Sequence, residues 1–272
     1  MTQPSSTFSA VNGDGYELQM GRWSRQLAGK FLDFTGLDDN GRILDAGCGT
    51  GSLSAELLSR TSRAEIFGVD ISAEYIAYAS ARTDDSRASF DTGDLTSLDY
   101  REEMFDQVFS MLVLHFVPDT TSAVAELVRV TKPEGKVSAT VWDSRGGFVH
   151  YRIFLDTAAM LDASAADLRN RTCTRPMTRP GELANAWKVA GLEDLHAGEV
   201  TIRTDFSSFE DYWAPFDGED GSIPSYLRSI SHDLRARIKD AVRLAYLDGE
   251  NDGPRSYVAT AWTISGRKKS GN

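Results

Sequence analysis

Short apolar runs alternate with amphipathic stretches along the middle of this chain, from about residue 42 to residue 142. The runs are rich in aliphatic, β-branched and aromatic residues and predict strands, whereas the stretches between them space apolar residues as a helix does. Strands separated by helices form right-handed crossovers and a parallel sheet, so the pattern predicts an α/β fold. The five predicted strands are Arg42–Ala46, Glu65–Asp70, Ala88–Thr92, Phe105–Met111 with an extension over 112–114, and 136–142.

This rhythm changes on both sides of the alternating region. Residues 1–13 are polar, with little to bury, and predict a disordered N-terminus. Residues 14–40 predict an N-terminal helical segment. After the fifth strand, residues 144–178 and 206–253 have helical patterns and predict two insertions that form a lid. The core of the fold is then expected from residues 41–143, 179–205 and 254–266, with further strands over 193–203 and 257–264.

The overall composition argues against several classes of function. The chain has 272 residues and a formal net charge of −11, whereas a nucleic-acid partner favours a basic face. Its two cysteines, Cys48 and Cys173, are too few for a disulfide framework and indicate a reducing, cytoplasmic setting. The cysteines and the four histidines show no spacing typical of metal ligands. No apolar run approaches the ~20 residues that a membrane span needs, so we expect no metal, no nucleic acid and no membrane.

The most informative stretch is Ile-Leu-Asp-Ala-Gly-Cys-Gly-Thr-Gly over residues 43–51, where a predicted strand ends and a helix begins at Ser52. Glycine at every second position gives a tight turn on which a ligand can lie against the backbone, because glycine has no Cβ and tolerates positive φ. The spacing differs from the Gly-x-Gly-x-x-Gly of nicotinamide enzymes. The chain also has no Tyr-x-x-x-Lys, so a nicotinamide dehydrogenase is disfavoured.

Two acidic residues follow the next two predicted strands, and ligands of parallel sheets bind at such strand ends. Asp70 can accept hydrogen bonds from both hydroxyls of a ribose, although a carboxylate there can equally cap the next helix. Asp94 can accept from an adenine amino group while Leu95 packs on the ring, although Gly-Asp-Leu is also a common turn. Together with the glycine turn, these two acids predict an adenosyl site.

These motifs together resemble those of the class I S-adenosylmethionine-dependent methyltransferases, in particular the small-molecule members with methyltransferase domains of types 11 and 25. Motif I corresponds to residues 45–51, the ribose acid to Asp70 and the adenine acid to Asp94. Phe105–Met111 resembles motif IV, and residues 130–136 resemble the family's turn into strand five. The resemblance implies a Rossmann-like, seven-stranded, mostly parallel sheet in the order 3-2-1-4-5-7-6, with helical lid insertions and antiparallel closing strands.

The resemblance also implies S-adenosyl-L-methionine as cofactor and S-adenosyl-L-homocysteine as product. The segment 16–24 resembles one that folds over the cofactor, where Arg22 could pair with the methionine carboxylate or be solvated. Trp23 could contact the cofactor or serve in ordinary helix packing. Asp45 could face the methionine ammonium or only accept hydrogen bonds from turn amides. The implied cofactor-binding residues are Tyr16, Met20, Arg22, Trp23, Asp45, Ala46, Gly47, Cys48, Gly49, Asp70, Ile71, Gly93, Asp94, Leu95, Met111, Leu112 and Phe116.

Methyl transfer requires a nucleophile placed in line behind a methyl group that is already electrophilic, so positioning supplies much of the barrier reduction. A general base is needed only if the acceptor must lose a proton early. His115 follows the fourth strand and is the candidate catalytic base, with a structural or lining role as the alternative. Further candidates for the base are His150, Tyr16, Tyr151 and Asp143.

The acceptor pocket is expected from the two insertions and the N-terminal segment. Their aromatic residues indicate an apolar or aromatic acceptor, or else they form the core of the lid itself. These residues are Phe148, Tyr151, Phe154, Tyr212, Trp213 and Phe216. We therefore expect an enzyme that methylates O, N or C of a small organic acceptor. The alternatives are a protein methyltransferase and a non-catalytic protein that binds the cofactor or its demethylated product, and the sequence indicates no oligomeric state.

Overall fold

A computed structural model describes residues 5–8 and 13–270 and contains a seven-stranded sheet. The strands are β1 Arg42–Ala46, β2 Glu65–Asp70, β3 Ala88–Thr92, β4 Phe105–Met111, β5 Thr131–Trp142, β6 Glu193–Phe206 and β7 Arg255–Arg267. Their order across the sheet is β3-β2-β1-β4-β5-β7-β6. Strands β1 to β5 pair in parallel, and β7 runs antiparallel to both β5 and β6. This confirms the predicted fold class and strand order.

Helices pack on both faces of this sheet. They are α1 Gly13–Tyr16, α2 Arg22–Thr35, α3 Ser52–Arg60, α4 Ala73–Ala81, α5 Thr120–Val130, α6 Val149–Ala159, α7 Ala163–Cys173, α8 Glu182–Val189, α9 Phe209–Trp213, α10 Ser222–Ser229 and α11 His232–Leu247. Successive strand residues point to opposite faces. In β1, Ile43 belongs to the buried cluster that holds Phe31 of α2, whereas Leu44 belongs to the cluster that holds Leu127 of α5. Burial on both sides explains the continuous apolar runs of the central strands.

The two predicted insertions are helical. Residues 144–178 contain α6 and α7, and residues 206–253 contain α9, α10 and α11. Helix α6 packs against both α7 and α11, so the two insertions meet. A break separates α6 from α7, where Asp162 caps α7 by accepting a hydrogen bond from the backbone N–H of Ala165 at 3.1 Å.

The end of β4 differs from the predicted extension over 112–114. The strand stops at Met111, and Leu112 takes a left-handed φ of 63° while its N–H donates to the carbonyl of Thr140 at 2.8 Å. A short 3-10 turn follows at Leu114–Phe116. The apolar run was misleading because Leu114 is fully buried in the turn, so its burial needs no extended backbone.

The start of β5 also differs from the predicted strand over 136–142. The strand begins at Thr131, which pairs with Phe105, and the register shifts before Gln107 pairs with Lys136. Within the irregular part, Glu134 has a φ of 62° and its N–H donates to the carbonyl of Lys268 at 2.9 Å. The hydrogen bond from Glu134 to Lys268, just after β7, therefore joins residues 131–135, which were predicted as a turn, to the sheet.

The N-terminal segment is described only in part. The predicted disordered stretch was 1–13, of which residues 1–4 and 9–12 lie outside the described residues. Residues 5–8 lie against the carboxyl edge of the sheet, since the N–H of Thr7 donates to the carbonyl of Phe116 at 2.8 Å. Gly13 already belongs to α1. Residues 5–8 and Gly13 therefore have defined positions against the rest of the protein, whereas the prediction expected a disordered segment there.

Candidate functional site

A cleft of about 940 Å³ lies at the carboxyl ends of the parallel strands, where α/β sheets bind their ligands. Its floor contains Asp45 from the end of β1, Asp70 from the end of β2, Met111 from β4 and Trp142 from β5. Residues 5–8 and the two insertions supply further walls. Because the parallel strands end at the same edge of the sheet, Asp70 and Asp94, the two acidic residues of the predicted adenosyl site, line the same cavity.

The glycine turn forms an open part of this floor. Gly47, Gly49 and Gly51 have φ values of 79°, 53° and 87°, so each uses the left-handed region that glycine tolerates. The N–H groups of Gly47 and Cys48 donate to the carbonyl of Val69 at 2.7 and 3.0 Å, which ties the turn to β2. A Cβ placed on Gly49 would have no atom of residues 5–8 and 13–270 within 4 Å. The turn thus leaves room above its backbone for a ligand.

Asp70 stands beside the glycine turn and is half-buried. One carboxylate oxygen accepts from the N–H of Gly49 at 2.9 Å and the other from the N–H of Ser72 at 2.9 Å. These bonds favour the ionised carboxylate, but burial outweighs them and raises its pKa. Each oxygen keeps a lone pair, so the carboxylate can still accept hydrogen bonds from a ligand in the cleft.

Asp45 lies beneath the turn and is only 1% exposed. Its carboxylate accepts a hydrogen bond from the hydroxyl of Ser54 at 2.6 Å. Burial raises the pKa of Asp45 to about 7, and the neighbouring charge of Asp70 acts in the same direction. A buried carboxylate without a cation favours a positively charged group of a ligand.

Asp94 follows β3 and accepts hydrogen bonds from the N–H and the hydroxyl of Thr96 at 2.9 and 2.8 Å. Partial burial raises the pKa of Asp94, but the bonds from Thr96 and from the Ser5 side chain outweigh burial, and the pKa lies below its usual value. Phe8 packs edge-on against Phe116, with ring centroids 4.9 Å apart. Residues 5–8 therefore cross the part of the cleft that contains Asp94.

A π-helical segment, Glu17–Gly21, joins α1 to α2 and faces the cleft. Such segments occur often at functional sites. The hydroxyl of Thr50 in the glycine turn donates to Glu17 at 2.7 Å, and Arg25 also pairs with Glu17. Tyr16 is hydrogen-bonded to Ser24 at 3.1 Å, and burial raises the pKa of Tyr16 to about 12. The N-terminal helical segment is thus fastened to the turn.

Arg22 and Trp23 do not reach the cleft, contrary to the roles that the resemblance implied. Arg22 pairs with Asp211 of α9 at 3.1 Å, and its guanidinium lies 4.2 Å from the centre of the Trp23 ring. Trp23 is 2% exposed and packs on Phe206, with ring centroids 5.5 Å apart. Both side chains therefore connect α2 to the second insertion.

Ala46 and Gly93 are also absent from the lining of the cleft. The side chain of Ala46 is fully buried in the core beneath the turn, in the same cluster as Val69. The N–H of Gly93 donates to the carbonyl of Asp70 at 2.9 Å, and a Cβ there would lie 2.8 Å from Val69. These two residues support the site from below. The implied residues that do line the cleft are Tyr16, Met20, Asp45, Gly47, Cys48, Gly49, Asp70, Ile71, Asp94, Leu95, Met111, Leu112 and Phe116.

His115 lines the cleft but is 3% exposed, and its Nδ1 has no hydrogen-bond partner among the described residues. Burial, helped by the charge of Arg175, lowers the pKa of His115 well below its usual value, so the imidazole is neutral at pH 7. His150 lies outside the lining, against Thr204 at 3.2 Å, and burial lowers its pKa to about 3. Asp143 accepts backbone hydrogen bonds in its own turn.

The predicted aromatic residues of the insertions divide into two groups. Phe148 and Tyr151 line the cleft. The others are at most 1% exposed and form the core of the lid, as the alternative interpretation required; they are Phe154, Tyr212, Trp213 and Phe216.

Many lining residues were not predicted from the sequence, and three of them carry polar or charged groups that matter below: Gln19, Arg171 and Arg175. Gln19 lies in the π-helical segment, whose bulge no helical periodicity reveals. Arg171 lies at the end of α7 and Arg175 four residues later. The sequence predicted a polar, arginine-rich loop here, and nothing in it indicated which of its side chains face the cleft. No group of histidine, cysteine, aspartate or glutamate side chains within 5–8 and 13–270 is arranged to hold a metal ion.

Comparisons with known proteins show the family to which the chain is similar. A family profile described as a methyltransferase domain matches residues 44–139. The chain is 38% identical over 247 residues to a malonyl-(acyl-carrier protein) O-methyltransferase of Halorhodospira halophila, with 83% of this chain and 75% of that protein covered. It is 29% identical over 110 residues to the ubiquinone/menaquinone biosynthesis C-methyltransferase UbiE of Bdellovibrio bacteriovorus, with 40% of this chain and 47% of that protein covered.

Solved structures show the same fold. Phosphoethanolamine N-methyltransferase 2 of Haemonchus contortus, in complex with S-adenosyl-L-methionine, superposes with a TM-score of 0.61 at 18% identity. The match covers 95% of this chain and 57% of that one. At this identity the likeness concerns the fold.

Proposed function

Because the chain belongs to the class I S-adenosylmethionine-dependent methyltransferases, we propose that it methylates O, N or C of a small organic acceptor held beneath the lid. The observation that carries this proposal is the cluster of Asp45, Asp70 and Asp94 around the open glycine turn. Its relatives include an O-methyltransferase and a C-methyltransferase. We therefore leave the accepting atom open and infer that the lid residues of the cleft select the acceptor.

The residues of the cleft fit S-adenosylmethionine, the cofactor of the family. The open space above Gly49 accommodates a ligand against the backbone. We assign Asp70 to the ribose hydroxyls, Asp94 with Leu95 to the adenine, and Asp45 to the methionine ammonium. The implied residues that line the cleft complete this site, with Ala46 and Gly93 beneath it. When bound, the cofactor supplies a methyl group made electrophilic by a sulfonium.

The chain's own contribution to the reaction is binding and orientation. The walls that contain Phe148 and Tyr151 exclude water from one side of the cleft and orient the acceptor for in-line attack. Burial lowers the pKa of His115 well below its usual value, which makes the imidazole a weak base, and the side chain is enclosed. We therefore assign it a lining role instead of the catalytic base. A nucleophile positioned this way needs no base if it arrives without its proton.

The pKa of Asp45 predicts that cofactor affinity depends on pH. The carboxyl is protonated below pH 7 in the free protein, whereas a cationic ammonium favours the ionised form. The ionised fraction rises with pH, so affinity should increase about tenfold from pH 6 to pH 8 and then level off. The raised pKa of Asp70 acts in the same direction. Calorimetric titration with S-adenosylhomocysteine across this range measures the effect.

An amide in place of the Asp45 carboxyl provides the control for that titration. Asp45→Asn removes this titration and should flatten the pH dependence as well as weaken binding. An affinity of the unmodified protein that stays constant from pH 6 to pH 8 contradicts the assignment of Asp45 to the ammonium.

Turnover separates the proposed enzyme from a protein that only binds the cofactor. The protein should convert S-adenosylmethionine to S-adenosylhomocysteine in the presence of at least one compound from a broad panel of small acceptors. Mass spectrometry of both products measures the transfer. Binding of the cofactor without turnover on any compound supports a non-catalytic binding protein. Methylation of protein substrates alone supports a protein methyltransferase.

The two free cysteines, Cys48 and Cys173, are typical of a reducing compartment, so we propose a cytoplasmic enzyme. No helix in the described part of the chain combines the length and the apolar character needed to cross a membrane. The partner is the small-molecule acceptor itself.

A further inference from the structure

The cleft separates charges by position. Its carboxylates, Asp45, Asp70 and Asp94, all lie at the strand ends, where the cofactor is assigned. Its cationic side chains are Arg171 and Arg175, both from the first insertion. In a chain with a net charge of −11, two guanidinium groups at one end of a cleft are a local exception to the overall charge.

The two arginines have no carboxylate partner among the residues that the structure describes. Nearby Arg152 and Arg169 both pair with Asp156, so the lid has acidic residues and uses them elsewhere. Arg175 is half-buried and its guanidinium lies 4.4 Å from the centre of the Phe116 ring. Charges that are withdrawn from water are ordinarily paired. Phe116 borders the site assigned to the cofactor, whereas Tyr151, whose pKa burial raises and the Arg175 charge lowers, lies in the acceptor wall. Arg175 therefore lies where the two parts of the cleft meet, and its unpaired guanidinium favours an anion on the acceptor side.

The remaining groups of that part are poor bases at neutral pH. Burial lowers the pKa of His115 well below its usual value. Burial also raises the pKa of Tyr151, although Arg175 opposes this rise, and it raises the pKa of Tyr16 to about 12. An acceptor that has already lost its proton in solution fits such a site, since no side chain then has to remove it.

We propose that the acceptor is a carboxylic acid, which binds as the carboxylate with Arg175 as its main counter-charge and Arg171 at the entrance. This inference rests on the proposed methyltransferase function and names its substrate class. A guanidinium matches the two oxygens of a carboxylate. Phe148 and Tyr151 supply the apolar wall for the rest of the molecule.

The reaction that follows balances without a proton acceptor. A carboxylate oxygen forms the new O–CH₃ bond with its own electron pair, and the methyl–sulfur bond breaks with its pair remaining on sulfur. The products are a neutral methyl ester and S-adenosylhomocysteine. No proton is released, so the step needs no base, which agrees with the low basicity that the lowered pKa gives His115.

Binding to the protein loaded with S-adenosylhomocysteine tests the substrate class without turnover. The probes are benzoate, phenylacetate, indole-3-acetate and octanoate, each compared with its uncharged amide, and phenyl phosphate. At least one acid should bind about 10- to 100-fold more tightly than its amide, as expected for a charge-assisted hydrogen bond. If no acid exceeds its amide, or if phenyl phosphate binds more tightly than every acid, the proposal is overturned.

Variants of Arg175 locate the effect. Arg175→Met should remove the preference for the acid while leaving the affinity for the amide unchanged, and the variant should still bind S-adenosylhomocysteine. Arg175→Lys keeps the charge and should retain part of the preference. Arg237→Met is the matched control, because Arg237 is an exposed arginine of α11 outside the cleft. An unchanged acid preference in both Arg175 variants contradicts the inference.

The same experiment distinguishes two kinds of failure. If the unmodified protein does not bind S-adenosylhomocysteine, the proposed function fails. If it binds the cofactor product but shows no preference for acids, only the inference about the acceptor fails. Turnover with the bound acid should give a product whose methyl group mild alkali releases as methanol, whereas an alkali-stable product contradicts ester formation.

Discussion

Gly49→Val should weaken the binding of S-adenosylhomocysteine by at least about 100-fold while the protein remains folded. The Cβ at this position has no protein atom within 4 Å, so the added side chain projects into the space that we assign to the cofactor. The φ of 53° adds strain for a β-branched residue, on the order of 1–3 kcal/mol. Calorimetry measures the affinity, and thermal unfolding monitored by circular dichroism measures the cost in stability.

Gly181→Val provides a matched control for that variant. Gly181 also has a left-handed φ, 81°, and an open space around its missing Cβ, but it precedes α8 and lies outside the cleft. It should lose a similar amount of stability and keep its affinity. Normal affinity in the Gly49 variant, or equal losses in both variants, contradicts close approach of the cofactor to the backbone.

Asp70→Ala should cost about 1–3 kcal/mol of cofactor binding, or roughly 5- to 150-fold in Kd. The substitution removes the acceptor assigned to the ribose hydroxyls and releases the N–H groups of Gly49 and Ser72. Both losses weaken the same site. Asp70→Asn separates them in part, since its amide oxygen can still accept one of these bonds. Calorimetry with S-adenosylhomocysteine measures both variants.

Asp106→Ala is the comparison for Asp70. Asp106 also accepts a backbone hydrogen bond, from Arg42 at 2.8 Å, and pairs with Lys132 at 2.7 Å. It lies near the start of β4, whereas the cleft is at the carboxyl end of the strands. Its loss should affect stability and leave affinity unchanged. If the Asp70 variant also retains normal affinity, the ribose assignment is wrong.

The parallel part of the sheet was predictable because its signals are local. Each central strand is buried on both faces, so its residues form a compact apolar run. The bounds of β1 to β4 agree with the prediction, apart from the extension after Met111. The order of the strands came from the family resemblance and depends on long-range pairings that no single segment encodes.

The roles of Arg22 and Trp23 were not predictable for the same reason. Their positions in the N-terminal segment suit a contact with the cofactor and a contact with the lid equally well. The outcome depends on Asp211, which lies 189 residues away and pairs with Arg22. Phe206 completes the arrangement by packing on Trp23. Partners so far apart in sequence are determined by the packing of the second insertion.

The residues that face the acceptor in the cleft were hard to predict for a different reason. The aromatic residues of the insertions were recognised, but a core residue such as Trp213 and a lining residue such as Tyr151 have the same helical spacing. Arg171, near the end of α7, and Arg175, just after it, are unremarkable in the sequence until the fold places them in the same cleft as three carboxylates. The direction of a lid helix, more than its composition, determines which side chains meet a substrate.

Calorimetric titration of the unmodified protein with S-adenosylhomocysteine, with NAD⁺ titrated in parallel, tests whether Asp70, Asp94 and the glycine turn form one adenosyl site for this cofactor. We expect S-adenosylhomocysteine to bind with one molecule per chain and NAD⁺ to show no saturable binding. Absence of binding by S-adenosylhomocysteine, or tighter binding of NAD⁺, contradicts the account.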